Sequence, residues 1–319
     1  MTLIALALSP PPSAAGAPLV LAGHSSWVNS VAVGDGVVAT AGNDGQIGIW
    51  RLPDGVRLAW LHLPRLHPPL GESALLAHLG VPVYGVAFDA TGRRLAAGCG
   101  DGAIHVAEVA TRQFVATLPD PSGHVNTVCW LPDGRLLAGT IDGRLVLWDV
   151  EHRAPVVERR IFQFPVQGLA LNPDETRVAV ASLDSRLRIL AIPSLEVTDS
   201  LAGHKDAVYT VDWSPDGRFI ATGSNDHTAL LWDRAKDTPH PLWQGERPIY
   251  AVAFTPDGQR LAVAEQGQPI RILTLPSGRE VATLAGHTAD VVALVFTADG
   301  RLVSGARDAT ARLWPEQEK

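Results

Sequence analysis

Three stretches of this chain each hold a hydroxyl, an imidazole and a carboxylate of the kind that builds a nucleophile relay. His24, Thr40 and Asp44 form the first set, His204, Thr222 and Asp226 the second, and His287, Ser304 and Asp308 the third. A Ser or Thr oxygen activated by His, with Asp orienting the ring, attacks acyl carbons when the hydroxyl is exposed beside an oxyanion hole. Two features argue against that use here. An enzyme has no need of three equivalent relays, and each set ends on a tryptophan, Trp50, Trp232 or Trp314, six residues after its Asp.

The elements that carry these sets are repeated. DGQIGIW (44–50), DGRLVLWD (142–149), DHTALLWD (226–233) and DATARLW (308–314) are four copies of one segment, and DGAIHVAE (101–108), DSRLRILA (184–191) and GQPIRILT (267–274) are weaker ones. Their end positions, 50, 107, 148, 190, 232, 273 and 314, are separated by 57 and then by 41, 42, 42, 41 and 41 residues. Midway through each unit stands a turn signal, such as GDG (34–36), PDG (132–134), PDE (173–175) or PDG (215–217). Asp-Gly between alternating or β-branched runs such as VYTVDW and ALLWD reads as a hairpin between strands. Each unit is therefore expected to be an antiparallel meander of about four strands.

With Gly-His pairs at 23–24, 123–124, 203–204 and 286–287 added, residues 18 to 316 resemble the WD40 repeat family. The resemblance implies an all-β fold, a seven-bladed β-propeller around a central channel. It also implies that the sets above are structural tetrads that tie the connection between blades to a strand turn. A fourth set, His124, Asp142 and Trp148, has Ala138 in place of the hydroxyl. Units 2, 4 and 6 lack both His and Trp at these positions, and unit 6 has Gly267 where Asp is expected, so those blades are expected to depend more on apolar packing. The seventh unit stops soon after Trp314, and PLVLAGH (18–24) has the form of its missing outer strand. The expected organisation is an N-terminal extension (1–16) and one propeller (17–316) closed by that strand, which hides an edge open to aggregation.

Composition excludes several classes. A net charge of −7 gives no support for nucleic acid or an anionic membrane as partner, and no run of 18 apolar residues spans a bilayer. No P-loop, GxGxxG, CxxC or HxxxH occurs, so no cofactor, metal or small-molecule substrate is expected, and Cys99 and Cys129 read as buried free thiols. Thr2–Leu8 is apolar and Ala15-Gly16-Ala17 resembles a processing site. No Lys or Arg precedes the run, however, and cytoplasmic placement is expected over a signal peptide at 1–17. Arg far outnumbers Lys, which fits a GC-rich, bacterial coding sequence.

The chain has three tyrosines, and Tyr84, Tyr209 and Tyr250 all occupy one repeat position, shared in other units by Asn29, Asn126, Gln167 and Val292. In the family this position lies at the channel mouth on the top face. Tyrosine suits a strand start by β propensity alone, yet it is also enriched among interface anchors, and a partner site is the expectation. Residues just before the turn aspartates, Asn43, Gly100, Ile141, Leu183, Asn225, Gln266 and Arg307, should join it. The long first interval places about 15 extra residues in 62–81, where ESALLAHLG reads as a short helix. That insertion is either a tolerated surface loop or a docking element. The functional expectation is a non-catalytic scaffold binding a protein or peptide through its top face. The alternatives are a subunit of a stable redox or defence assembly and, further off, a propeller enzyme.

Overall fold

The structure is a computed structural model that describes residues 17–52, 54–64, 80–120, 123–236 and 239–316. These residues form seven four-stranded antiparallel sheets, and six of them follow chain order from an inner strand a to an outer strand d. Blade 1 runs Val28–Gly34, Val37–Gly42, Gln46–Arg51 and Arg57–His62; blade 5 runs Val208–Trp213, Phe219–Ser224, Thr228–Asp233 and Pro239–Gln244. The a strands of neighbouring blades lie side by side, and that of blade 7 (Val291–Phe296) meets that of blade 1, so the ring is closed.

Closure is made by the strand that the repeat count asked for. Leu19–Ala22 is the outer strand of blade 7, antiparallel to Thr310–Trp314 with Leu19 opposite Leu313 and Ala22 opposite Thr310. Leu21 enters the closing layer between blades 7 and 1 beside Val28, Trp50 and Leu313. Comparable apolar layers fill the other gaps, for example Ile47, Ile49, Val83 and Leu95 between blades 1 and 2. The b strands use small residues, such as Ala39, Ala41, Ala179, Ala181, Ala262 and Ala264, all fully buried. Small side chains suit the narrow inner part of tapered blades.

Two irregularities stand out, one at a single turn and one in every blade. The expected hairpin turns use Gly at positive φ, as at Gly217 (φ 71), but the PDE copy places Glu175 at φ 60, a conformation that costs an L-residue about 1–2 kcal/mol. In every blade the a–b ladder slips by one residue: the partners jump from Val28 to Ser30, from Val83 to Gly85, and equivalently at 126, 167, 209, 250 and 292. Among the described residues no helix is long and apolar enough to cross a membrane. The helix expected at 72–80 falls largely outside the described residues, as does the 1–16 extension.

Candidate functional site

The residues skipped by the seven a–b ladders are Asn29, Tyr84, Asn126, Gln167, Tyr209, Tyr250 and Val292. A β-bulge leaves its extra residue out of the ladder and re-aims its side chain. Here all seven converge on one cavity of about 500 Å³ at the channel mouth, together with Trp27, Asn43, His124, Ile141, Pro165 and Arg307. Tyr209 and Tyr250 face each other with ring centroids 5.5 Å apart. The Arg307 guanidinium sits 4.9 Å from the Trp27 ring and 5.0 Å from the Tyr250 ring, and its Nη1 donates to Asp290 Oδ2 at 3.0 Å. Burial pushes the Tyr84 and Tyr209 phenols up, so both stay neutral.

Some expected members serve the ring itself. Asn29 Nδ2 donates to Val83 O at 3.0 Å and Asn126 Nδ2 to Val166 O at 3.1 Å, so each amide clamps its blade to the next inner strand. Asn225 does not line the cavity; its Oδ1 accepts from the Tyr209 hydroxyl at 3.1 Å and its Nδ2 donates to Asp206. Gly100, Leu183 and Gln266 also stand outside the lining, whereas Asn43, Ile141 and Arg307 belong to it. Trp27 and Pro165 were not legible as site residues, because they come from interblade connections that carry no repeat signal.

The tetrads assemble in blades 1, 5 and 7. In blade 5 the Trp232 indole N–H donates to Thr222 Oγ1 at 2.9 Å, Thr222 Oγ1 meets His204 Nε2 at 2.7 Å, and His204 Nδ1 meets Asp226 at 2.9 Å. His24, Thr40, Asp44 and Trp50 repeat this in blade 1, as do His287, Ser304, Asp308 and Trp314 in blade 7. With the indole filling one lone pair, the hydroxyl gives its proton to a neutral His, which in turn donates to Asp. Thr40, Thr222 and Ser304 are 0% exposed, so none can meet a substrate as a nucleophile. Each Asp also accepts a backbone N–H from the interblade connection, from Ser25, Lys205 and Thr288. Burial pushes Asp226 up, but Thr228, Lys205 N–H and His204 outweigh it and hold the carboxylate below its ordinary range.

The expected set His124, Asp142 and Trp148 does not assemble. With Ala138 at the hydroxyl position, the imidazole and the indole lose their common partner. Trp148 Nε1 is buried without a hydrogen bond, and His124 instead stacks on Tyr84 at 5.5 Å in the mouth. Asp142 is taken by Arg144, which also reaches Asp120 at 2.7 Å.

Nor do blades 2, 4 and 6 rest on apolar packing alone. His105, fully buried, bonds Asp101 at 3.1 Å and Thr117 at 3.2 Å. Arg188 pairs with Asp184 in blade 4. In blade 6, where Gly267 replaces the Asp, Glu265 pairs with Arg271 at 3.2 Å and accepts the backbone N–H groups of Glu246 and Arg247. His105, Arg188 and Arg271 hold one repeat position, the fifth residue of DGAIH (101–105), DSRLR (184–188) and GQPIR (267–271), and that alignment was the available signal. Blade 2 also brings Cys99, Asp101 and His105 together, with one donor atom of each within 4.8 Å of the others.

A family model described as "WD domain, G-beta repeat" matches residues 18–51, 72–106, 112–149, 195–233 and 278–315. The chain is similar to Telomerase protein component 1 of Rattus norvegicus, 23% identical over 342 residues, covering 81% of this chain and 13% of that protein. It is similar to Protein groucho of Drosophila melanogaster, at 26% over 195 residues, or 60% of this chain and 27% of that one. It also resembles the Guanine nucleotide-binding protein subunit beta of Zea mays, at 27% over 216 residues, or 62% and 57%. Each match covers less than two thirds of the relative's own length.

Proposed function

The chain belongs to the WD40 family, and from that premise we propose that it is a non-catalytic scaffold holding a protein or peptide partner at the top mouth of its channel. The observation that carries this reading is the convergence of seven bulged side chains, all three tyrosines among them, on one open cavity. Aromatic side chains offer large contact area at small entropic cost, and a rigid ring of blades presents them with little further ordering. Trp27 and Ile141 extend the surface outward, 47% and 40% exposed respectively. Arg307, held between two rings and paired with Asp290, supplies a fixed polar contact at its edge.

Replacing Tyr84, Tyr209 and Tyr250 together by Ala tests the reading. Affinity purification from the native cell with mass spectrometry, wild type against variant, should show a partner lost selectively from a variant that stays folded. Each tyrosine acting as an anchor contributes about 1–3 kcal/mol. A folded triple variant that retains every partner moves the site off the mouth. A catalytic reading would need carboxylates and imidazoles clustered there, and among the lining residues the only one of either type is His124.

A further inference from the structure

We propose that Cys99, Asp101 and His105 in blade 2 form a binding site for one divalent cation of the zinc class. Among the described residues they are the one group whose Cys, carboxylate and imidazole donors all lie within 4.8 Å of one another. Cys99 ends strand b (Arg94–Cys99), Asp101 stands in the turn, and His105 lies in strand c (Ala103–Glu108), so three successive pieces of one hairpin carry the donors. A tetrahedral zinc with bonds of about 2.0–2.3 Å needs donors separated by about 3.3–3.7 Å. His105 Nε2 and Asp101 Oδ2 are already 3.1 Å apart, and the Cys99 sulfur, within 4.8 Å of both, is the donor that a bound ion would draw in.

The donor types narrow the ion. A thiolate with an imidazole favours zinc or its softer neighbours over magnesium or calcium, and the carboxylate adds the charge that a divalent ion requires. On binding, the Cys99 S–H bond breaks, the sulfur bonds the metal and that proton leaves to solvent, while the imidazole proton that faces Asp101 on Nε2 is exchanged for one on Nδ1. His105 is oriented for this. Thr117 Oγ1 lies 3.2 Å from Nδ1, and a hydroxyl both donates and accepts. Nδ1 can therefore keep that bond as a donor while the Nε2 lone pair turns to the metal, an arrangement typical of ligating histidines. Phe114 packs against the ring edge at 5.8 Å and fixes its plane. The Cys99 and His105 side chains are sealed from solvent while the Asp101 side chain is 15% exposed, which leaves the Asp101 side for entry and for a water as fourth ligand.

Position in the ring separates this group from the tetrads. Blades 4 and 5 carry Ser182 and Ser224 two residues before Asp184 and Asp226, where blade 2 carries Cys99. A hydroxyl there supports the turn; a thiol adds a metal donor. A Cβ on Gly100 would lie 3.3 Å from the Tyr84 ring, so the site stands directly behind the channel mouth.

The full chain, freed of metal with a chelator and exchanged into clean buffer, is titrated with cobalt(II) alone. A thiolate-to-cobalt charge-transfer band with strong visible bands of tetrahedral cobalt should saturate at one equivalent and vanish when zinc is added. Cys99→Ser should remove the charge-transfer band and keep the fold, since Ser serves at this place in blades 4 and 5. Cys129→Ser should leave the band intact, and Thr117→Val should weaken cobalt binding about tenfold. The X-ray absorption spectrum of the zinc-loaded wild type reads the same site without a variant: one sulfur at about 2.3 Å among nitrogen and oxygen neighbours is expected. A folded wild type with no charge-transfer band in excess cobalt overturns the proposal. So does a band that survives Cys99→Ser, or a zinc shell without sulfur.

Discussion

Blades 1, 5 and 7 and blades 2, 4 and 6 meet one demand with two chemistries. A turn carboxylate must be held in place under the interblade connection, and once buried it needs a partner. Blades 1, 5 and 7 bring His from the connection itself and back it with a hydroxyl and an indole, as in His204, Thr222 and Trp232. Blades 2, 4 and 6 bring His105, Arg188 or Arg271 from their own third strand. Blade 3 lies between the two: it keeps His124 and Trp148, loses the hydroxyl at Ala138, and hands its Asp to Arg144. Six blades place an Asp at this turn and blade 6 a Glu two residues before it; what differs between the two groups is the side chain bonded to that carboxylate.

The sharpest way to break this equivalence is in blade 6. Glu265→Ala removes the carboxylate that pairs with Arg271 and holds Glu246 and Arg247 N–H, and should cost about 3 kcal/mol in chemical denaturation. Asp226→Ala leaves a neutral His204 and the Lys205 N–H without their acceptor and should cost about 2 kcal/mol. An unchanged midpoint for either variant would return that blade to apolar packing. In blade 3, Ala138→Ser supplies the hydroxyl missing beside Trp148 Nε1 and should stabilise by about 1 kcal/mol. A crystal structure of that variant tests whether His124 leaves Tyr84 for the restored partner.

The smallest effect separates the two chemistries by pH. Burial holds His204 and His287 below their ordinary value of 6.5 against the pull of Asp226 and Asp308. The unfolded chain therefore takes up protons that the folded chain refuses, and stability falls as pH drops below about 6.5. Arginine does not titrate in this range. Amide exchange at pH 7 and pH 5, corrected for intrinsic rate, should show blade 7 losing protection relative to blades 4 and 6, by less than about tenfold. Blade 5 is left out of this comparison because Asp212, in its own inner strand, acts in the opposite sense. Burial pushes its carboxyl up to about 7 despite the N–H groups of Phe254 and Trp213, so its contribution is full below pH 3.8 and is lost as pH rises towards 7.

Much of this was legible before any coordinates. Spacing between Trp50 and Trp314 fixed the number of units, and the truncated seventh unit identified Leu19–Ala22 as its closing strand. Turn chemistry marked the hairpins, and three aligned tyrosines marked the mouth. The pairing of Glu265 with Arg271 was not legible, because neither holds a family motif and the two act across strands. His124 misled for the complementary reason: its motif survives while its hydroxyl partner does not.

The sequence by itself determined the repeat, its sevenfold count and the strand that closes it, because periodic turns and apolar alternation are local properties. Only the tertiary structure decided where the candidate site residues point. A one-residue slip in each inner ladder turns Asn29, Tyr84, Tyr209 and their equivalents into one cavity. The slip depends on how two strands pair and twist within a closed ring. The same holds for Cys99, Asp101 and His105, whose meeting depends on the fold of one hairpin and on the close packing around it.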